Sequence, residues 1–373
     1  MPADSNPFYI KLSHSLLAIV LILLIMYLGQ SILIPLSFAG LLAIILIGPS
    51  DYFEKQGIPR GIAAVIALLL ALTVGVVILY FISSQVISFK NDLPVLGTQL
   101  SAAVTDLENW AKHKFNISSG NMRQFINSAS SQTLSHTTTL IGSTFSTLSN
   151  TFIYLVLIPI YTFLLLLYRK LVVQFFIGSF SEHHTDRVKD ILAKTRRVIK
   201  GYIVGLFIEM LIVAVMNCAG FFILGVKYAL LLGVIAALLN LIPYLGIFTA
   251  CLLSMLVTFT TNTPSTVLGV AVVLIIVHII DSNILLPKVV GSKVKINALA
   301  TILGVLLGSA LWGIPGMFLA IPIIAILKVI FDGVDSLSPW GLLLGDDSSA
   351  TAQPRQAANT NWQNTFKRKL RKK

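Results

Sequence analysis

Charge is scarce in this chain. Of its 373 residues only 11% are charged and 56% are hydrophobic, and the mean hydropathy is +0.87. A soluble globular domain carries about 25% charged residues, so the composition excludes that class and predicts a polytopic membrane protein. The net charge of +12 arises from bases in short loops and in the tail. That placement predicts contact with the headgroups of the lipid bilayer and no nucleic-acid partner.

Cysteine and the common catalytic motifs are also scarce. Cys218 and Cys251 lie in apolar segments without a His or Cys at metal-ligand spacing, which predicts neither a disulfide nor a zinc site. The stretch "EHHTD" at 182–186 could form a metal cluster but lacks the HExxH spacing. The chain has no GxGD motif of an intramembrane protease and no nucleotide-binding P-loop. We therefore expect no enzyme activity, no cofactor and no resident metal.

Apolar runs of about 20 residues, the length that crosses a bilayer, recur along the chain. They divide it into an N-terminal three-helix membrane region, a polar extramembrane helical insertion, a fourth span followed by a basic cytoplasmic amphipathic helix, a transport core, and a disordered basic cytoplasmic tail. The expected bounds of these five regions are 1–83, 84–148, 149–200, 201–330 and 331–373, and the expected full spans are 12–30, 31–49, 61–83, 149–168, 201–225 and 266–286.

Two further apolar segments, 228–258 and 296–327, are interrupted by proline and glycine in "NLIPYLG" and "WGIPG". As one helix the first would measure about 46 Å against a hydrocarbon core of about 30 Å, so it either crosses with a steep tilt or turns back. Each segment follows a full span, which is a weak internal repeat. Two re-entrant hairpins would keep Lys288, Lys293 and Lys295 cytoplasmic, as the positive-inside rule prefers. The predicted fold is therefore an all-α polytopic membrane protein with about six full transmembrane helices and two hairpins, or else eight spans.

Non-helical backbone at membrane depth is tolerated where it lines a cavity, so the two breaks predict the substrate site of a transporter. A proline kink that only improves packing is the alternative. Buried ionisable residues are the second signal, since a charge at the bilayer centre costs at least about 2.5 kcal/mol. These residues predict coupling to H⁺ or Na⁺ through Asp281, Glu209 and His278. The alternatives are a structural residue at a helix end for Asp281, a hydrogen-bonded interhelical contact for Glu209, and packing or tautomer support for His278. The predicted substrate-binding residues are Asn240, Pro243, Tyr244, Gly246, Asn283, Gly313, Pro315 and Gly316.

Three motifs together resemble one family of bacterial membrane proteins. They are "GVIAALLNLIPYLG", "IIDSNILLPKVVGSKV" and "GSALWGIPGMFLAIPI", and the family is the AI-2E (autoinducer-2 exporter) family, also called PerM-like. The resemblance implies a multi-pass inner-membrane protein with cytoplasmic termini, a homo-oligomer, and an elevator-like inverted repeat that moves small solutes. Some relatives are associated with autoinducer-2 export and others with sodium/proton exchange. The chain departs from the family pattern at Tyr202, where Gln is frequent, and at Asn297 and Ala298, where His-Pro is usual.

The sequence thus predicts a secondary transporter that works by alternating access. Its transport is coupled to H⁺ or Na⁺, as in an antiporter. Its substrate is a small polar solute, such as an autoinducer-2-like signal, or a cation. An ion or solute channel is the alternative, because a static Pro/Gly constriction lined by amides can also conduct. An intramembrane enzyme is the remote alternative.

Overall fold

The computed structural model describes residues 8–90, 105, 153–242, 245–291 and 294–346. Within these ranges the chain is helical, and its one β-type contact is an isolated antiparallel bridge between Ile296 and Gly345. The prediction of an all-α fold is confirmed. The expected insertion lies almost wholly outside the described residues, as does the chain beyond 346.

Eleven α-helices are described. In chain order they are α1 (Phe8–Leu28), α2 (Gln30–Lys55), α3 (Arg60–Lys90), α4 (Ile153–Leu167), α5 (Arg169–Gly178), α6 (Thr185–Ile223), α7 (Ala229–Leu239), α8 (Leu245–Thr261), α9 (Pro264–Ile280), α10 (Ala298–Gly333) and α11 (Ser338–Leu344). A π-helix, Asp281–Gly291, continues α9, and single 3-10 turns cover Glu182–His184 and Asp335–Leu337.

Five described helices are long and apolar enough to cross a membrane, or six if the bent pair α4 and α5 is counted as one. One of the five is α10, which folds back on itself and so is not a single full crossing. Large apolar side chains are exposed along most of these helices. In water such a surface would be unstable, whereas in lipid it is the expected outer surface. The molecule is a multi-pass membrane protein.

The first interrupted segment folds back as a helical hairpin. Its two arms, α7 and α8, pack on each other and share an apolar cluster that includes Ala236 and Ala250. At the base, Asn262 Nδ2 donates to the carbonyl oxygen of Gly225 at 3.1 Å, so the chain leaves the hairpin where it entered. We call residues 226–262 hairpin 1.

The second interrupted segment, α10, is also folded back, since two helical arms meet at a kink within it. Gly304 lies against Ile324, and Gly308 lies against both Gly316 and Ala320. In a straight helix residues 304 and 324 would be about 30 Å apart. The reversal occurs at Gly313, whose φ of 61° and ψ of −139° suit glycine alone. We call residues 298–333 hairpin 2, and its reversal supports hairpins over eight full crossings.

The two hairpins begin at opposite ends of α6. The base of hairpin 1 follows directly after the last turn of α6, at Gly225. The base of hairpin 2 meets the first turns of the same helix, where Gly333 packs against Ile191 and Arg187 donates to both the Gly333 carbonyl oxygen and the Asp335 carboxylate. The hairpins therefore enter from opposite sides.

Two predicted regions differ from the structure. The basic amphipathic stretch before 201 is not a separate surface helix, because residues from 185 onward form one continuous helix with the fifth span. Gly201, the one helix-weakening residue at that junction, does not interrupt it. The separate element is α5, which bends by 67° from α4.

The prediction of disorder from 331 onward is wrong for residues 331–346. This stretch contains the end of α10 and the whole of α11. Gly341 packs directly on Asp332, and the Asn297 side chain donates to the carbonyl oxygens of Leu343 and Gly345, at 2.6 and 3.0 Å. Those bonds hold the segment against the base of hairpin 2.

Candidate functional site

Three polar side chains are almost completely buried in the middle of the transport core. Glu209 and Asn217 of α6 are 3% and 2% exposed, and Asp281, the first residue of the π-helix, is 5% exposed. Burial of ionised or amide groups in an apolar core is costly unless the groups meet partners. Their convergence therefore needs a structural or functional reason.

The partners come from hairpin 1. Asn240, at the end of α7, donates from Nδ2 to Oδ2 of Asp281 at 2.8 Å. The Glu209 carboxyl is a near neighbour of the Asp281 carboxyl. Two neighbouring buried carboxyls repel each other when both are ionised, so a proton or a small cation beside them would be stabilised.

Several atoms of this cluster remain without a protein partner among the described residues. They are Glu209 Oε2, Asp281 Oδ1, Asn217 Oδ1 and His278 Nδ1, all of them buried. Unsatisfied buried acceptors are rare in a purely structural core. Three of these atoms are oxygens, the ligand type that H⁺ and hard cations prefer. The cluster therefore has unused capacity for a small cationic ligand.

A small cavity adjoins the cluster, although Glu209 is not among its lining residues. Asn217, Asn240, His278 and Asp281 line it together with apolar side chains of α6, α7, α8 and α9. It offers about 10 Å³ to the centre of a water molecule, about the least that admits one water. The cavity therefore has room for an ion or a water and none for an organic solute.

Close backbone approaches fix this geometry. A Cβ on Gly205 of α6 would lie 2.8 Å from the carbonyl oxygen of Val289 in the π-helix, so glycine is required for that contact. Gly246, predicted to bind substrate, packs against the Leu239 carbonyl at the tip of hairpin 1, where a Cβ would collide. Glu209 is one turn beyond Gly205 on the same face of α6. Gly205 thus brings α6 and the π-helix into direct backbone contact, and Gly246 brings the two arms of hairpin 1 together near its tip.

The structure brings together only some of the predicted site residues. Asp281, Glu209, His278 and Asn240 form the cluster, whereas Asn283 is exposed and donates to the Ile279 carbonyl of its own helix at 2.8 Å. The π-helix places Asn283 on the opposite side from Asp281. Pro243 and Tyr244 lie outside the described residues.

The predicted residues of the second break lie elsewhere. Gly313, Pro315 and Gly316 form the turn of hairpin 2. Beside them Trp312 Nε1 donates to the Met26 carbonyl oxygen of α1 at 2.9 Å, and Phe318 stacks on Phe38 of α2 with ring centroids 5.5 Å apart. This turn is therefore anchored to the N-terminal helices.

Two buried polar residues escaped the sequence analysis. Ser254 and Thr258 of α8 are 1% and 0% exposed, and Thr258 Oγ1 has no hydrogen-bond partner among the described residues. Their four-residue spacing along an otherwise apolar helix places both on one face, and this pattern could have indicated a buried polar position. Both lie on the arm of hairpin 1 that leads away from its tip.

The two departures from the family pattern have structural roles. Tyr202 is buried in the apolar cluster between α6 and hairpin 2. Asn297 caps α10, since its Oδ1 accepts from the Ala300 amide at 2.8 Å. Within the described ranges no group of three or more His, Cys, Asp or Glu side chains could hold a metal ion, and "EHHTD" is an exposed segment at the start of α6.

Two hairpins enter from opposite sides, and a buried, incompletely paired polar cluster lies in the core beside them. This layout is typical of a membrane transporter. Comparison with known proteins agrees. The family model described as "AI-2E family transporter" matches residues 16–335, and the chain belongs to this family.

Three curated relatives cover most of the chain. "Putative transport protein YueF" of Bacillus subtilis (strain 168) is 28% identical over 81% of this chain and 84% of its own. "Putative transport protein YhhT" of Escherichia coli (strain K12) is 24% identical over 88% and 93%. "Putative permease PerM" of the same strain is 25% identical over 82% and 88%.

Proposed function

We propose that the protein is a secondary transporter that exchanges a small polar solute or a cation for H⁺ or Na⁺ by alternating access. The observation that carries the proposal is the buried Glu209 and Asp281 pair, bridged to Asn240 at the tip of hairpin 1. Autoinducer-2-like signals and other small polar metabolites are the solute class that the family name suggests.

The pair supplies a coupling chemistry in this setting. With one proton between them, the two carboxyls carry a single negative charge, and a second H⁺ or a bound Na⁺ would neutralise that charge in the same place. A buried charge resists movement through an apolar core, whereas a neutral site moves at much lower cost. Occupancy by H⁺ or Na⁺ would thereby license the conformational change.

Hairpin 1 is the natural moving part in this proposal. Its tip contributes Asn240 directly to the Asp281 carboxylate, so displacement of the hairpin opens the site and breaks that bond. Hairpin 2 approaches from the opposite side of α6. Two hairpins that alternately open would give the elevator-like inverted repeat.

The test is reconstitution of the purified protein in liposomes under an imposed proton or sodium gradient, with a panel of small polar solutes that includes autoinducer-2. Asp281→Asn and Glu209→Gln should abolish gradient-driven uptake and spare solute exchange, because exchange can proceed with the site permanently neutral. Asn283→Ala is the matched control, since Asn283 lies two residues from Asp281 and faces away from the cluster. It should leave both activities unchanged.

Three outcomes would overturn the proposal. Full driven uptake in both carboxyl variants would remove the coupling role of the pair. Unitary currents in planar bilayers would identify a channel instead, since a carrier saturates and supports counterflow. Parallel loss of folded protein, exchange and uptake would show that the carboxyls only hold helices together.

We further propose the bacterial inner membrane as the location, with both termini cytoplasmic, and a homo-oligomer as the assembly. The α2–α3 loop, the bend between α4 and α5 and the start of α6 lie on one side, where ion pairs link Glu54, Arg60, Arg169 and Arg196 through shared carboxylates. The positive-inside rule assigns this basic side to the cytoplasm. Mass photometry in nanodiscs would test the assembly.

A further inference from the structure

A cleft between α2, the α4–α5 bend and α6 contains two neighbouring cavities of opposite character. The first holds about 210 Å³ and is lined wholly by apolar side chains. Its walls include Leu41 and Ile45 of α2, Ile158 of α4 and Phe207 of α6, and the tips of both hairpins reach it. We call it the apolar cavity.

The second cavity lies further along the same helices and is polar. It holds about 390 Å³ and is lined by Asp51 of α2, Arg169 and Lys170 of the bend, and Arg196 of α6. Ile47, which lines it, is two residues from Ile45 of the apolar cavity. We call it the basic cavity.

The basic cavity has an excess of positive charge. Arg169 Nη2 contacts Asp51 at 2.7 Å and Glu54 at 2.8 Å, while its buried Nη1 has no hydrogen-bond partner among the described residues. Arg196 meets the same Asp51 carboxylate only at 3.7 Å and is half exposed. With Lys170 there are three cations for two carboxylates, so a further anion would be stabilised here.

The spacing of the two cavities matches one leaflet of a bilayer. Along α6 the apolar cavity begins at Ile203 and ends at Met210, about 10 to 21 Å from Arg196. Half of the hydrocarbon core is about 15 Å thick. A ligand with its charge in the basic cavity would therefore place a hydrocarbon chain in the apolar cavity.

Helix α5 sets the depth of the basic cavity. It bends by 67° from α4 and exposes Leu171, Phe175 and Phe176 beside the charged Arg169 and Lys170. An apolar helix at a steep angle to a span, with basic residues at its start, is typical of the membrane interface. The cations of the basic cavity are thus level with lipid phosphates.

We propose that this cleft is a binding site for an anionic phospholipid of the leaflet on the α5 side. The phosphate is held by Arg169, Lys170 and Arg196, and one acyl chain fills the apolar cavity. This inference does not rest on the transport proposal. Because Leu241 of hairpin 1 and Phe318 of hairpin 2 both line the apolar cavity, the acyl chain touches both hairpins.

The test is native mass spectrometry of the full-length protein released from nanodiscs of phosphatidylcholine with graded phosphatidylglycerol. Phosphatidylglycerol should be retained in preference to phosphatidylcholine. Each basic contact to a phosphate at the membrane surface is worth about fivefold in affinity, so Lys170→Gln with Arg196→Gln should weaken retention about 25-fold. Lys189→Gln, an exposed position of α6 outside the cleft, should have no effect.

A second pair of variants tests the acyl chain. Leu42→Trp places a larger side chain in the apolar cavity and should reduce retention of long-chain phosphatidylglycerol, whereas Leu69→Trp on the exposed face of α3 should not. Thermal melting confirms that each variant is folded. Equal retention of both lipids, or no effect of the basic or the Leu42 variant, would overturn the proposal. Displacement by inorganic phosphate at millimolar concentration, with no dependence on chain length, would overturn it too, since the site would then serve a free anion.

Discussion

Gly205→Ala is expected to disturb the geometry of the carboxyl cluster although Gly205 is not part of the cluster. The added Cβ would lie 2.8 Å from the Val289 carbonyl oxygen and 3.5 Å from the Val290 Cα. Both neighbours are backbone atoms of the π-helix and cannot rotate away. We expect α6 and the π-helix to separate by several tenths of an ångström, which displaces Asp281 from Glu209 and Asn240.

The magnitude follows from a matched control. Gly75→Ala in α3 meets no atom within 4 Å, so it reports only the helix-forming advantage of alanine, about 1 kcal/mol. Gly205→Ala gains the same advantage and adds the cost of overpacking, about 1–3 kcal/mol. The difference between the two variants is therefore about 1–3 kcal/mol, about fivefold to more than a hundredfold in the unfolded fraction.

Two assays separate the stability and transport effects. Thermal unfolding in detergent should rank Gly75→Ala above Gly205→Ala, and vesicles with equal amounts of folded protein should show reduced driven uptake for Gly205→Ala alone. If Gly205→Ala matches Gly75→Ala in both assays, the close contact between α6 and the π-helix does not exist in the membrane, and the proposed geometry of the cluster is wrong.

Three other predictions concern the hairpins and their anchors. Gly313→Val should destabilise the turn of hairpin 2 by about 1–3 kcal/mol, because a β-branched residue does not tolerate a φ of 61°; thermal melting compared with Gly75→Ala would show it, and equal melting would contradict the turn. Arg187 holds the pKa of the Asp335 carboxyl below its ordinary value, chiefly through their hydrogen bond, so the link contributes stability above the unfolded-state pKa and is lost as pH falls through the lower folded-state pKa. Spin-label distances between the start of α6 and α11 should lengthen over that acidic window in the native protein and show no such transition in Asp335→Asn. In a cysteine-free background, Lys227→Cys should react with an impermeant thiol reagent added outside cells, and Lys295→Cys should be protected from it. Ready labelling at both positions would contradict the hairpins and support full crossings.

The spans and both breaks could be predicted because their signals are local. A run of about 20 apolar residues indicates directly that a helix lies in lipid. Likewise, Gly313 followed by "IPG" indicates a turn, because glycine and proline favour turn conformations. Glu209 and Asp281 could be selected in the same way, since a carboxyl within an apolar run is costly wherever its partner lies. The family membership, confirmed over residues 16–335, rests on the same motifs.

Asn283 shows where local reasoning failed. It is two residues from Asp281 and was predicted to share its site, but residues i and i+2 lie on different faces of a helix, and Asn283 is exposed where Asp281 is buried. The π-helix from Asp281 onward, which packs on Gly205 of α6, was not predicted either. A wider helix that depends on a distant contact leaves no periodic signal in its own sequence.

The sequence by itself determined the membrane environment, the helical class, the positions of the breaks and the candidate carboxyls, because each follows from the affinity of a segment for lipid or from a residue's own backbone preference. Tertiary structure alone decided that Glu209 meets Asp281, that Asn240 bridges to them, and that the basic and apolar cavities adjoin. Periodicity identifies the residues that share one face of a helix. Periodicity does not identify the helix that this face contacts, because close packing between distant segments depends on how the side chains of all the helices fit together.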